Sequence, residues 1–205
     1  IDGNEGTGTP AYTSDGIVNG AQFFNGSNGI DVEADGSFGW GNKESFTIEF
    51  WMKGILGTTG AGGNEVIVGR DDAGSDLHWW LGVEGVTGNA RFQLEDNDGP
   101  GDSVSLDPDP VVPITDGEWH HIVGVRNAAL NIVLLYVDSV EVAVASVNFS
   151  SGFESTTAAL NLGYLNLDPF YRFNGTLDEV AIYDRALTET EILEHYNNGQ
   201  GGQGS

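Results

Sequence analysis

The feature that most constrains this chain is an alternation with a period of two. In the stretch FTIEFWM, Phe46, Ile48, Phe50 and Met52 alternate with Thr47, Glu49 and Trp51, as in a strand that buries one face. Similar short runs follow: EVIVGR, LHWWLGV, ARFQLED, WHHIVGVR, IVLLYVD, VEVAVASV, LNLGY and LDEVAIYD. Clusters of Gly, Asn and Asp separate them, and these residues supply turns. No repeat period of the kind that builds propellers or solenoids is present. The pattern predicts an all-β fold, a two-sheet antiparallel β-sandwich whose consecutive strands form a meander. With 205 residues and 39% hydrophobic content, the chain can build a real core for one such domain.

One segment breaks the alternation. In RALTETEILEHYNNG, Thr188 and Glu191 have the spacing of a capping box, and Ile192, Leu193 and Tyr196 form an apolar stripe. Gly199 is placed to end the helix, so one short C-terminal helix is expected to close against the sandwich. Residues 1–10, IDGNEGTGTP, and 199–205, GQGGQGS, read as linkers. They bracket a domain at 11–198 and predict a monomeric module with flanking domains in the same polypeptide. No apolar run is long enough to cross a bilayer, and no signal-peptide pattern opens the sequence.

Thirty-one acidic residues against seven basic ones give a net charge of −24. Such a field repels nucleic acid and anionic membrane surfaces, which removes both as partners. Two readings of the charge stand side by side: a surface kept soluble by self-repulsion, and carboxylates gathered to hold calcium, a cation that prefers oxygen ligands. With no cysteine, disulfides and thiolate metal sites are excluded.

In DGEWHHIVGVR, His120 and His121 are neighbours. On a strand they point to opposite faces and cannot ligate one ion. Trp119, His121, Val123 and Val125 share one face, which their apolar character marks as the core side, with His121 a buried, hydrogen-bonded histidine. His120 and Arg126 then face water. By the same parity Leu77, Trp79, Leu81, Phe92 and Leu94 point inward, while His78, Trp80, Arg91 and Gln93 point outward. Adjacent strands would gather His78, Trp80, Arg91, Gln93, His120 and Arg126 on one surface. A tryptophan ring for stacking, with planar polar groups around it, suits glycan recognition. The alternative is that Trp80 packs beneath a loop and the arginines neutralise nearby acids.

Two acidic loops are candidates for metal. In EDNDGPGD, Asp96, Asp98 and Asp102 could converge on one ion, or the loop is a solvated hairpin turn. In GRDDAGSD, Asp71, Asp72 and Asp76 lie in a loop expected at the same edge of the sandwich. If the two loops meet, their summed charge calls for a cation.

Taken in order, GAQFFNGSNGIDV, FTIEFWMK, DGEWHHIVGVR, LLYVDSVEVA, LNLGY and RFNGTLDEVAIYDRALTETEI resemble the laminin-G-like, concanavalin A-like jelly-roll modules of bacterial extracellular proteins. The resemblance covers most of residues 17–198. It implies a jelly roll, commonly with a structural calcium, in modules that bind carbohydrate or mediate adhesion and less often bind protein. In the family the Asp of the closing motif contributes to that calcium, which corresponds to Asp178, with Asp2, Asn25 or backbone carbonyls near Gly26 as companions; the alternative is that Asp178 caps a turn. Glucanases of this fold, as the family relationship implies, carry a Glu-x-Asp-x-Glu triplet on one strand. No such triplet occurs here, and no nucleophile-elbow motif is present. The expectation is therefore a non-enzymatic, calcium-stabilised module that binds a polysaccharide or glycan, at the cell surface or outside the cell. A structural or protein-binding module without glycan affinity is the alternative.

Overall fold

The computed structural model describes residues 8–34, 36–55, 63–98, 102–167 and 171–204. Its elements run in the order β1 (Ala11–Thr13), β2 (Ala21–Asn25), β3 (Ile30–Val32), β4 (Phe46–Gly54), β5 (Glu65–Asp71), β6 (His78–Val83) and β7 (Ala90–Glu95). There follow β8 (Ser103–Leu106), β9 (His120–Asn127), β10 (Ile132–Val137), β11 (Val140–Ser146), β12 (Leu160–Leu162), β13 (Asn174–Tyr183) and α1 (Glu189–Gln200). The strands form two antiparallel sheets, ordered β1-β2-β13-β4-β9-β10-β11 and β3-β12-β5-β6-β7-β8. The expected all-β jelly-roll sandwich with one short C-terminal helix is what the chain forms. The meander is only local, however. β13 returns to lie between β2 and β4, and β12 lies between β3 and β5.

Alternation builds the core as predicted. Phe46, Ile48, Phe50 and Met52 of one sheet meet Trp79, Leu81, Phe92 and Leu94 of the other, and all are fully buried. Trp40 stacks on Phe46 at 4.1 Å between ring centroids and donates its indole N–H to Asp184 at 2.8 Å.

On β9 the parity holds, but the faces are exchanged. Ile122 belongs to the core between the sheets, and a Cβ on Gly124 would sit 2.8 Å from the Phe92 ring. Arg126 shares this inner face, buried, with its guanidinium 5.1 Å from the Phe149 ring centroid. His121, Val123 and Val125 point to the opposite face, where Leu187 and Ile192 cover them. Because α1 buries that outer face, both sides of β9 are apolar, and a period of two does not distinguish them.

The helix is attached through a polar network as well as through apolar contact. Glu49, buried, accepts hydrogen bonds from Tyr183 Oη at 2.7 Å and His195 Nδ1 at 3.0 Å, with His121 Nε2 at 3.4 Å. Burial alone raises its pKa, but the bonds from His121, Tyr183 and His195 outweigh that and hold the carboxyl below its usual range. Trp51 is stacked against His121 and Tyr196, with centroids at 5.1 and 5.5 Å.

At its start α1 has the predicted capping box of Thr188 and Glu191. Its end differs from expectation. Gly199 lies inside the helix, which runs into the segment expected as linker and is capped by Gly201. Gly199 is there because a Cβ would lie 2.5 Å from the Trp51 ring.

His120 takes part in a second network, at the β10–β11 hairpin. Asp138 and Ser139 form the two-residue turn with φ of 51° and 66°, the handedness that matches strand twist. Asp138 accepts from the His121 amide at 2.9 Å and pairs with His120 Nδ1 at 2.8 Å, while Asp116 pairs with His120 Nε2 at 3.1 Å. The hydrogen bond to Asp138 outweighs burial, and with the charges of Asp138 and Asp116 it raises the His120 pKa above its ordinary value.

Two tests follow from these contacts. Helix propensity by itself favours Gly199→Ala by up to about 1 kcal/mol. The close Trp51 ring reverses the sign, so urea unfolding should show the variant destabilised by about 1–3 kcal/mol; a stabilised variant refutes this packing. A raised histidine pKa contributes stability that is complete below the unfolded-state value and is lost as pH rises through the folded value. The melting-temperature deficit of His120→Gln should therefore be larger at pH 5.5 than at pH 9, and a pH-independent deficit refutes the charged pair.

Candidate functional site

The outer face of the six-stranded sheet is built in rows. Pairing aligns Asp71, His78, Glu95 and Ser103 in one row. Asp31, Asn161, Gly69, Trp80, Gln93 and Ser105 make the next. Gly82 and Arg91 lie beyond them. These positions alternate with Trp79, Leu81, Phe92 and Leu94, which fill the core. Four of the six expected ligand residues, His78, Trp80, Arg91 and Gln93, thus share one face.

The other two do not join them. His120 and Arg126 lie on β9, which pairs with β4 and β10 in the opposite sheet. Expecting β9 beside β7 was wrong because the chain crosses between layers after β8. Arg126 is fully buried and donates to the carbonyls of Asn127 and Ile132.

Trp80 faces outward but does not meet water. It is 1% exposed, packed with Val66 and Leu165 and flanked by Tyr171. Gly69, its neighbour across the pair, leaves a notch that Leu165 fills: a Cβ there would stand 3.0 Å from the Leu165 methyl. The open tryptophan platform expected from alternation is therefore corrected to a tryptophan beneath a loop. The expected cationic character is also matched by acids. Arg91 Nε donates to Asp107 at 2.6 Å, and His78 Nδ1 pairs with Asp71 at 3.0 Å.

Beside the His78–Asp71 pair, a cleft of about 300 Å³ is lined by Asp71, Asp72, Thr157, Asn161 and Asn166 among others. Asn161 donates its side-chain amide to Asp31 at 2.8 Å and accepts the Asn166 backbone N–H at 3.1 Å. An open cleft of about 440 Å³ continues past Asp72 to Ser75, Asn97 and Thr156. The whole edge presents amides, hydroxyls and carboxylates, a surface suited to an uncharged, hydroxyl-rich ligand. Asn161 and Asn166 were missed in the sequence. Alternation in LNLGY, with Leu160 buried against the core, is the signal that places Asn161 outward.

The acidic loops do meet, at the segment of residues 150–157, but what they meet is a set of donors. Ser150 gives its backbone N–H to Asp102 at 2.8 Å and its hydroxyl to the same oxygen. Ser151 gives its N–H to Asp96 at 2.9 Å. Ser155 gives its hydroxyl to Asp72 at 2.7 Å. The Gly74 amide and Ser155 hydroxyl hold Asp72 below the usual carboxylate range, and Ser150 does the same for Asp102. Burial pushes Asp96 up; the amides of Ser151 and Asp98 restrain that rise, and the charges of Asp102 and Asp98 add to it.

Among the described residues no three of His, Cys, Asp and Glu are grouped to hold a metal ion. Asp72, Asp96 and Asp102 are turned to the donors of residues 150–157, Asp71 to His78, and the Asp98 amide donates to Asp96 at 3.3 Å. Asp178 accepts the Val18 and Glu179 amides at 3.0 and 2.9 Å, tying the turn before β2 to β13. Asn25 pairs with Asn174, four residues along β13, so it lies about 13 Å from Asp178 at the usual strand rise. Asp2 is outside the described residues. In the same closing motif Asp184 is turned to the Trp40 indole.

Comparison with solved structures finds domains of similar fold. Domain 4 of a GH43 extracellular arabinanase from Geobacillus stearothermophilus, solved in complex with arabinotriose, is 26% identical with a TM-score of 0.70, over 94% of this chain and 86% of that one. The binding domain of Paraclostridial Mosquitocidal Protein 1 is 20% identical with a TM-score of 0.74; the match covers 95% of this chain and only 47% of that chain. The CBM40 of a Ruminococcus gnavus IT-sialidase is 16% identical with a TM-score of 0.58, over 81% of this chain and 95% of that one. A search of the curated proteins returned no match. The family model described as the concanavalin A-like lectin/glucanases superfamily, a laminin-G type, matches residues 24–193, and the chain belongs to that family.

Proposed function

We propose that this domain is a non-catalytic carbohydrate-binding module of a larger secreted or cell-surface protein, and that it binds a neutral glycan on the outer face of the six-stranded sheet. The observation that carries the reading is the likeness, over nearly the whole chain, to an arabinanase domain solved with arabinotriose. The local chemistry agrees with it. Thr157 and Asn166 line an open cleft, and His78 and Gln93 add hydrogen-bond donors and acceptors further along the same face. Arg91 and His78, each already paired with a carboxylate, leave little free positive charge for an acidic sugar. Trp80 supports this face from below and does not stack on the sugar. A structural calcium belongs to this reading because the family resemblance implies one, with Asp178 as its carboxylate.

A glycan array carrying arabinan and other neutral plant polysaccharides, read at millimolar calcium and again in chelator, tests the reading. Binding of a neutral glycan is expected, weakened about tenfold by Gln93→Ala or Asn166→Ala, as one lost hydrogen bond of about 1–1.5 kcal/mol implies. Trp80→Ala should instead cost about 3–5 kcal/mol of folding stability. A blank array together with capture of a protein partner favours the structural or protein-binding alternative. Loss of melting temperature in chelator measures the contribution of calcium.

A further inference from the structure

We propose that the opposite sheet carries a second, independent site for one neutral sugar unit, in the cleft between Phe23 and Lys53. This rests on the carbohydrate-binding reading above but uses none of the same residues. A cleft of about 320 Å³ opens on the outer face of the seven-stranded sheet, at the small end of the usual range for ligand sites, roughly 300–1,000 Å³.

Strand pairing builds it. Phe23, Thr176 and Lys53 align across β2, β13 and β4. They alternate with Phe24, Leu177 and Met52, which face the core. Asn174 and Ile55 form the neighbouring wall, with Gly117 held against Gly54 by a 3.1 Å backbone bond. The helix α1 covers the face around Trp51, His121 and Val123 and leaves this end open.

Three observations point to a sugar. Phe23 is 42% exposed and has no ring contact among the described residues, so its face is free for the apolar side of a sugar ring. Neither the Asn174 side-chain amide nor the Thr176 hydroxyl bonds to a described residue; both sit on β13, between β2 and β4, and offer donors and acceptors together. Lys53 and Asp15 form an exposed pair at 3.2 Å on the rim. Such a pair is weak in water and opens at little cost to present an ammonium and a carboxylate to hydroxyls. The ligand is neutral because the net charge of −24 repels anions and the lysine is already matched by Asp15.

Because the two sites lie on opposite outer faces, one module holds two glycan chains apart and cross-links them. The experiment uses the full chain with arabinotriose as probe, read by amide NMR, and soluble arabinan, read by turbidity. Amide shifts are expected around Phe23, Lys53 and Thr176 as well as around Gln93, with turbidity near stoichiometric arabinan. Phe23→Ala, an exposed position, should keep the wild-type melting temperature, lose the first set of shifts with at least tenfold weaker binding there, and abolish turbidity while the Gln93 set persists. Shifts confined to Gln93 overturn the second site and leave the module reading intact. Shifts at neither face overturn both. Stronger response to glucuronate than to arabinotriose at the Phe23 cleft overturns the neutral-sugar assignment.

Discussion

The guanidinium of Arg70 is the interaction on which the functional edge depends. It is fully buried, 1% exposed, and its N–H groups donate to the carbonyls of Phe38, Phe153, Ser155 and Ala158. A buried arginine left with open donors is costly, so satisfying it dictates where those carbonyls go. The segment 153–158 is thereby drawn over the end of the sandwich, and Ser155 and Thr157 are brought to Asp72. Both clefts beside the six-stranded sheet take their walls from that segment. Arg126, the other buried arginine, organises nothing comparable: it binds two carbonyls of its own hairpin, rests on Phe149, and burial lowers its pKa.

The same segment explains how a chain with a net charge of −24 tolerates carboxylates packed at one end. Serine hydroxyls and backbone amides from residues 150–157 donate to Asp72, Asp96 and Asp102. Dipoles placed this closely offset part of the carboxylate charge, and a chain rich in Ser, Thr and Gly supplies them readily. Asp96 is the least compensated member because it is also the most buried.

Layering decides which surfaces are open. In a sandwich each sheet buries one face in the shared core and can offer the other to solvent. Here each outer face is half roofed: by Leu165 and Tyr171 over Trp80 on one side, and by α1 over Trp51 on the other. What remains open on each side is polar or mixed and backed by strands.

From its sequence alone this chain is legible as an all-β sandwich with a capped C-terminal helix, because alternation and the Thr188–Glu191 spacing are local signals. The same alternation correctly places His78, Trp80, Arg91 and Gln93 on one face and sends His120 and His121 apart. It is silent on what lies above a face, since a tryptophan under Leu165 and a tryptophan under water have the same neighbours in sequence. Only the tertiary structure decided that β9 belongs to the other sheet, that Arg126 is interior, and that the acids meet serines. The physical reason is that layer and cover are set by pairings between distant segments, such as β13 with β2 and Arg70 with residues 153–158, whereas the direction of a side chain is set by its own strand.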